Sequence, residues 1–337
     1  ISRGRAGWNV VTSGDAGTAG NYGLDEHYDY ATRYGRAAEH IEVSRALWDS
    51  YEDDAFPRDR ETGVFLDPTR LHRTDHRGEH FTVVGPLNIE RSPQGQPVVF
   101  QAGDSDEGRD LGARFADGIF THASTIASNK AFADDIRSRA AAFGRSPDHV
   151  LILPGAKIIV GDTDDQAREL ELAQHRLSNS FEQALAELGR PFGWHDFRQY
   201  DLDAPSPAGA LVHAERSFRT QATQIVERAQ AAGLTLRQVV EEIAAPHRSP
   251  FVGSAETVAN ALEEWFRAGA ADGFNIYVSK PSQFRRFIDE VLPILRERGL
   301  ARTSYEGTTL REHLGIPKPE NRHTAARRAQ QRTLIGA

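Results

Sequence analysis

Pro97-Val-Val-Phe-Gln-Ala-Gly-Asp-Ser-Asp-Glu-Gly108 is the stretch that decides the fold. Residues 97–102 form an apolar, β-branched run of buried-strand length, and residues 103–108 supply a turn whose serine and acidic residues suit the start of a helix. A strand feeding a helix through a short turn is one unit of an α/β sheet. The unit recurs on both sides. Upstream, residues 7–13 read as a strand ending in hydroxyl residues, and Tyr30, Tyr34, Ala37, Ile41 and Trp48 mark an amphipathic helix over 28–50. Downstream, strands are expected at 118–122, at 151–153 with 157–160, and at 273–278; helices are expected at 131–143, from Ser254 through Phe266, and at 284–295.

Two stretches interrupt the alternation. Residues 52–95 carry Pro, Gly and His at irregular intervals and read as an excursion, with one alternating run at Phe81-Thr-Val-Val84. Helical patterns at 163–188 and 213–245 flank a loop at 193–208, so 161–250 is expected to be a helical insertion before the last strand. The expected organisation is a single domain over 1–323 and a polar tail over 324–337 that frays. About five strand–helix units emerge, whereas a closed parallel barrel needs eight. The chain opens on Ile1 and contains no Met. The expected architecture is therefore an α/β barrel cut to about its last five strands, or a complete open sheet.

Composition removes several classes of function. The 40 Lys and Arg against 48 Asp and Glu give a net charge of −8, spread along the 337 residues with no basic stripe for nucleic acid. The absence of Cys excludes disulfides, thiolate nucleophiles, Cys-based zinc sites and a CxxC redox pair. It fits a reducing, cytoplasmic setting. The longest apolar stretch, 151–160, contains Pro, Gly and Lys and is too short to cross a bilayer. The GxxxxGK[ST], GxGxxG and GxSxG fingerprints are all missing, which leaves a cofactor to carry any hard chemical step.

Several residues stand out individually. The turn at 103–108 offers backbone N–H groups and the Ser105 hydroxyl to an anion; equally, Ser105 is an ordinary helix cap, and Asp106 and Glu107 oppose a phosphate. Asn9 sits among Trp8, Val10 and Val11 and needs a partner, either a hydrogen bond inside the barrel or a ligand at its mouth. Thr12 and Ser13 belong to the same group. Arg33 is expected to pair with Asp29 in preference to an anionic substrate. His72, His76 and His80 recur every fourth residue, but Gly78 and the β-like run after it oppose a helix, so no metal site is expected. His122, at a strand end, reads as a core or pocket histidine.

Longer strings carry a family resemblance. Arg5-Ala-Gly-Trp-Asn-Val-Val-Thr-Ser13, Arg33-Tyr34 with Glu39, Leu47-Trp-Asp-Ser-Tyr-Glu-Asp-Asp-Ala-Phe56, Gly85-Pro-Leu87 with Pro93-Gln-Gly95, Gln101-Ala-Gly-Asp-Ser105 and Tyr305-Glu-Gly-Thr-Thr-Leu-Arg-Glu-His-Leu-Gly315 follow in order along nearly the whole chain. Together they resemble the flavin-dependent monooxygenases of the nitrilotriacetate, dibenzothiophene-sulfone and pristinamycin branch of the bacterial luciferase-like superfamily. The resemblance implies a (β/α)8 TIM barrel with part of the flavin site on leading strands absent here. It implies a two-component reaction: reduced FMN from a separate NAD(P)H-dependent flavin reductase meets O2, forms a C4a-peroxyflavin and oxygenates a small organic substrate. A homo-oligomer of two or four copies is expected.

By the same resemblance, Ser105, Tyr34 and Tyr30 contact the flavin; the turn adds Gly103 to them, and the place of Asn9 at a strand end puts it, with Tyr30, near the reacting ring. The family usually carries histidine where this chain has Tyr30. A ring able to carry charge is thus replaced by one that stays neutral near pH 7. His27 is the substitute by residue type, but its three-residue offset puts it on a neighbouring surface. The 161–250 insertion is placed to cover the barrel mouth. A luciferase-like dehydrogenase using flavin or deazaflavin, or an inactive fragment, are the alternatives.

Overall fold

The computed structural model describes residues 2–14, 16–122, 125–178, 180–215, 217–245, 248–278 and 280–335. Among them run the strands β1 (Gly7–Asn9), β2 (His76–Arg77), β3 (Thr82–Val83), β4 (Val98–Gln101), β5 (Gly118–Thr121), β6 (Leu151–Lys157), β7 (Ile159–Val160), β8 (Val252–Gly253) and β9 (Asn275–Tyr277). The helices are α1 (Tyr30–Trp48), α2 (Asp106–Phe115), α3 (Ile126–Ala142), α4 (Asp164–Ser178), α5 (Phe181–Gly189), α6 (Arg219–Ala232), α7 (Leu236–Ala244), α8 (Ala255–Arg267), α9 (Pro281–Arg286), α10 (Leu292–Glu297), α11 (Leu310–Leu314) and α12 (Arg322–Ile335).

β1, β4, β5, β6 and β9 form one parallel sheet in that order. Strand alternation gives it two unlike faces. Val99, Ile119 and Ile152 are buried on one side, where they pack with Ile41 of α1, Leu111 and Phe115 of α2, and Phe132 and Ile136 of α3. Phe100, Phe120 and Leu153 alternate with them and are only partly covered, while Tyr277 is 49 % exposed. The Phe100 ring lies over the glycines of both neighbouring strands: a Cβ built on Gly7 or Gly118 would stand 2.8 or 2.9 Å from it. Helices therefore cover one side of a curved parallel sheet, a half-barrel. The described residues do not close the eight-stranded barrel.

The sheet is fastened at the start of its strands by two copies of the tripeptide Ala-Asp-Gly. Asp117, just before β5, accepts the Val99 N–H at 2.9 Å, and Asp272, before β9, accepts the Ile152 N–H at 2.7 Å. Arg311 of α11 binds Asp117 at 2.8 Å and the carbonyls of Gln96 and Pro97 at 3.0 and 3.2 Å. Both Asp117 and Arg311 are buried.

Several boundaries differ from those expected. The residues 10–13 leave the first strand after Asn9, and α1 starts at Tyr30 because Asp29 caps it through the Thr32 N–H. The third helix starts earlier than expected, at Ile126, where Thr125 and Ser128 form a capping box. The strand at 151–157 runs through Pro154 and Gly155 without interruption. A π turn at Phe287–Val291 joins α9 to α10.

Within 161–250 the two expected helices are four. Ser180 with Gln183 caps α5 afresh, and Gly233, with φ of 63°, ends α6 before Thr235 and Gln238 cap α7. These helices close a hydrophobic cluster of their own around Leu188, Phe192, Val226 and Leu236. The short pair β7–β8 brackets the segment.

The excursion at 52–95 is held to α1 by Glu39, which accepts the backbone N–H groups of His80 and Phe81 at 2.8 and 2.9 Å and bonds His76 Nε2 at 2.8 Å. The expected fraying tail is instead helical over Arg322–Ile335. Thr324 and Arg327 bond the buried carboxylate of Glu52, and His323 stacks on His72 at 3.8 Å. Among the described residues no helix is long and apolar enough to cross a membrane.

Two outcomes follow from these contacts. Replacing Asp117 by Ala leaves Arg311 buried without its counter-ion and should lower unfolding free energy by about 3 kcal/mol in denaturant titrations. Burial works against the Glu39 charge, but the His76 bond and the two backbone donors outweigh it and hold the carboxyl at about 2, below its ordinary 4.5. Its contribution is thus present above pH 4.5 and lost as pH falls toward 2. Glu39→Gln should flatten the acid limb of the stability profile over that window.

Candidate functional site

The site grows from the turn between β4 and α2. Gly103 and Gly108 touch so closely that a Cβ on Gly103 would stand 2.8 Å from the Gly108 Cα and 2.3 Å from Gln101 Nε2. That contact folds the turn back over the helix start and leaves Ser105 as the cap of α2, its Oγ accepting the Gly108 N–H at 3.1 Å. The same oxygen accepts the hydroxyl of Tyr30 from the first turn of α1. With two donors already on Ser105 Oγ, the hydroxyl has its own proton left to give to an acceptor.

The acidic residues of the turn are partly neutralised by arginines. Asp104 pairs with Arg109 at 2.8 Å, and Asp106 with Arg139 at 2.9 Å. Neither charge faces the helix start unopposed. The first-turn N–H groups of Asp106 and Glu107 have no acceptor within the helix.

Tyr30 and Tyr34 lie side by side, ring centroids 4.9 Å apart and the rings tilted by 51°, with Tyr34 resting on the main core. Burial, assisted by the neighbouring Tyr34, holds the Tyr30 phenol above its ordinary value against the opposing Ser105 bond. It therefore keeps its proton at neutral pH. Gly103, Ser105, Tyr30 and Tyr34 thus form one cluster at the ends of two helices.

Of the two readings of Asn9, the internal hydrogen bond is not the one found. Asn9 stands at the C-terminal end of β1, beside Phe100 in register, and is exposed rather than buried among its apolar neighbours. An exposed amide needs no internal partner, so the reading that is left is a ligand at the open end of the sheet. His122 is likewise exposed, edge-on to Phe120 at 4.3 Å, and burial of part of its ring lowers its proton affinity. His72 and His76 bond different carboxylates, those of Glu52 and Glu39. Among the described residues no three His, Cys, Asp or Glu side chains gather as metal ligands.

The expected Arg33–Asp29 pair does not form. Asp29 is engaged by the N–H and hydroxyl of Thr32, each at 2.8 Å, while Arg33 turns inward and donates to the carbonyls of Ser13 at 2.9 Å and Ser217 at 3.4 Å. His27 Nε2 reaches the same Ser13 oxygen at 2.7 Å, so it carries the proton. Phe218 lies over Gly14, 3.1 Å from where a Cβ would be. These contacts bring the helical insertion to the C-terminal end of β1, beside the tyrosines. Gln101, which the sequence marks only as part of the Gln101–Ser105 string, lies behind the Gly103 turn, and among the described residues its buried Oε1 has no hydrogen-bond partner.

Comparison with known proteins gives a consistent result. Residues 1–272 match the family model described as luciferase-like monooxygenase. The chain is 41 % identical to N-acetyl-S-(2-succino)cysteine monooxygenase of Bacillus subtilis, over 96 % of this chain and 73 % of that protein. It is also 41 % identical to nitrilotriacetate monooxygenase component A of Aminobacter aminovorans, over 95 % and 71 %. Among solved structures, riboflavin lyase with modified FMN and riboflavin superposes with a TM-score of 0.80 at 34 % identity, over 94 % of this chain and 69 % of that one.

A Cβ on Gly103 would displace the Gln101 side chain, but the Gly108 backbone on its other side has no such freedom, so Gly103→Ala cannot be accommodated by side-chain movement alone. It should cost about 1–3 kcal/mol in unfolding free energy, by the measure of other overpacked sites. Gly103→Ala should also disorder the turn, seen as faster amide exchange at Ser105 and Gly108.

Proposed function

This chain belongs to the luciferase-like family of flavin-dependent monooxygenases, and from that premise we propose that it is the oxygenating component of a two-component system: it takes reduced FMN from a separate NAD(P)H-dependent reductase and oxygenates a small organic substrate. The observation that carries the proposal is the junction of α1 and α2, where Tyr30 and the Gly108 N–H both donate to Ser105 Oγ.

The residues present fit the phosphate of FMN. The Ser105 hydroxyl proton and the free N–H groups of the α2 first turn are donors without acceptors, gathered at the positive end of a helix dipole. Asp104 and Asp106 are tied to Arg109 and Arg139, which offsets their repulsion of an anion, while the Glu107 carboxylate in the same turn still opposes it. When bound, reduced flavin supplies the electrons that activate O2.

The chain's own contribution is positioning and exclusion of water. The tight Gly103 turn orients the donors before a ligand arrives. Tyr30, protonated at neutral pH, holds Ser105 as donor and acts as a hydrogen-bonding group rather than a base. Phe100, Phe120 and Tyr277 give an apolar inner face on which a flat ring can lie, and Asn9 offers an amide at its edge. The insertion meets this edge at Ser217 and Phe218 and serves as its cover.

The test is a coupled assay. With a flavin reductase, NADH, FMN and substrate, O2 consumption should yield oxygenated product, and removal of the reductase or of FMN should abolish it. Product formation from NADH with no flavin would contradict the proposal. Ser105→Ala should weaken FMN binding about tenfold or more in fluorescence titrations, the worth of one hydrogen bond to a charged group, and leave riboflavin affinity nearly unchanged.

A further inference from the structure

Arg33 carries a charge that the flavin site leaves unused. Its side chain is 5 % exposed, and among the described residues it pairs with no carboxylate. Its bonds go to two neutral carbonyls, and its Nε–H is buried with no acceptor among the described residues. Removal from water lowers its proton affinity, and the opposing attraction of Tyr34, Tyr30 and the Asp29 carboxylate, which makes no direct ion pair with it, does not make up the loss. A buried guanidinium in this state is short of an anion, because buried charges are stable only when paired and fully hydrogen-bonded.

The position of the guanidinium indicates which anion is missing. It lies 5.3 Å from the centre of the Tyr30 ring, whereas the Tyr30 hydroxyl, at the other end of the same side chain, is bonded to Ser105. One phenol thus separates the phosphate donors from the unpaired cation. Ser13, with a left-handed φ of 49°, turns its carbonyl to receive both Arg33 and His27. The Ser217 carbonyl, contributed by the insertion, is the longer of the two Arg33 bonds and the one a ligand would displace.

We propose that Arg33 is the counter-cation for a carboxylate of the organic substrate, admitted beside Tyr30 where the insertion meets the half-barrel. The placement rests on the flavin reading above. The substrate class is then an aliphatic acid, bound through a two-pronged guanidinium–carboxylate contact. Arg33 acts in specificity and affinity.

The experiment measures binding by calorimetry, with and without FMN, for nitrilotriacetate, N-acetyl-S-(2-succino)cysteine and succinate, and for their methyl esters. Wild-type chain, Arg33→Lys and Arg33→Gln are compared after circular dichroism has verified folding. At least one acid should bind the wild type, lose tenfold or more in affinity in Arg33→Gln, retain part of it in Arg33→Lys, and weaken with added salt; the esters should bind feebly and alike in all three. Should Arg33→Gln not fold, Arg33→Lys and the salt dependence carry the comparison. Acids that bind Arg33→Gln as well as wild type, esters that match their acids, or no acid binding at all would overturn the proposal. A parallel titration with FMN and riboflavin separates the sources of anion. The preference for FMN should survive in Arg33→Gln; its collapse there would make the flavin phosphate the partner of Arg33 and defeat the substrate assignment. A wild type that binds acids but not FMN would defeat the flavin reading alone.

Discussion

One serine oxygen with two donors governs the arrangement of the site. Ser105 Oγ receives the Gly108 N–H from its own helix and the Tyr30 hydroxyl from another, so a local cap becomes a tertiary contact. Two helices that lie far apart in sequence are fixed at their starts to the same atom. Neither half suffices alone: the cap exists only because Gly103 and Gly108 let the backbone pass within contact distance, and Tyr30 reaches it because the Asp29 cap makes it the first residue of α1. The geometry of the donors precedes any ligand, which is the condition for binding an anion without reorganising the protein.

The rest of the half-barrel supports that junction. Ala-Asp-Gly before β5 and β9 ties the strand starts, and Arg311 clamps the first of these from below, leaving the opposite, C-terminal ends free for loops. Rigid strand starts and variable strand ends are the division of labour expected of a parallel α/β sheet. Burial on one side of the sheet and aromatic cover over glycine on the other give the inner face its shape, flat at Gly7, Gly118 and Gly155 and bulky at Phe100, Phe120 and Tyr277.

Much of this was legible in the sequence, for a physical reason. The five main strands are β-branched or apolar runs next to turn residues, and local chemistry alone sets their existence. The Gly103–Gly108 turn was legible for the same reason. Helix breaks at Ser180 and Gly233 were missed because apolar periodicity continues across them, although the capping residues Gln183, Thr235 and Gln238 mark the restarts. The environments of Asn9 and Arg33 were not legible. Whether a strand residue is covered, and which way a long side chain turns, depends on elements more than a hundred residues distant, here the insertion at Ser217 and Phe218. The docking of α12 through Glu52 belongs to the same class of long-range contact.

The central claim is that the start of α2 receives the phosphate of the flavin. Phosphorus NMR of FMN titrated with the wild-type chain tests it most directly, since the resonance reports on the phosphate and not on the ring. The account predicts a shifted, broadened phosphate signal that is restored toward the free position by Tyr30→Phe. A phosphate resonance that stays at its free position while the ring fluorescence is quenched would contradict it.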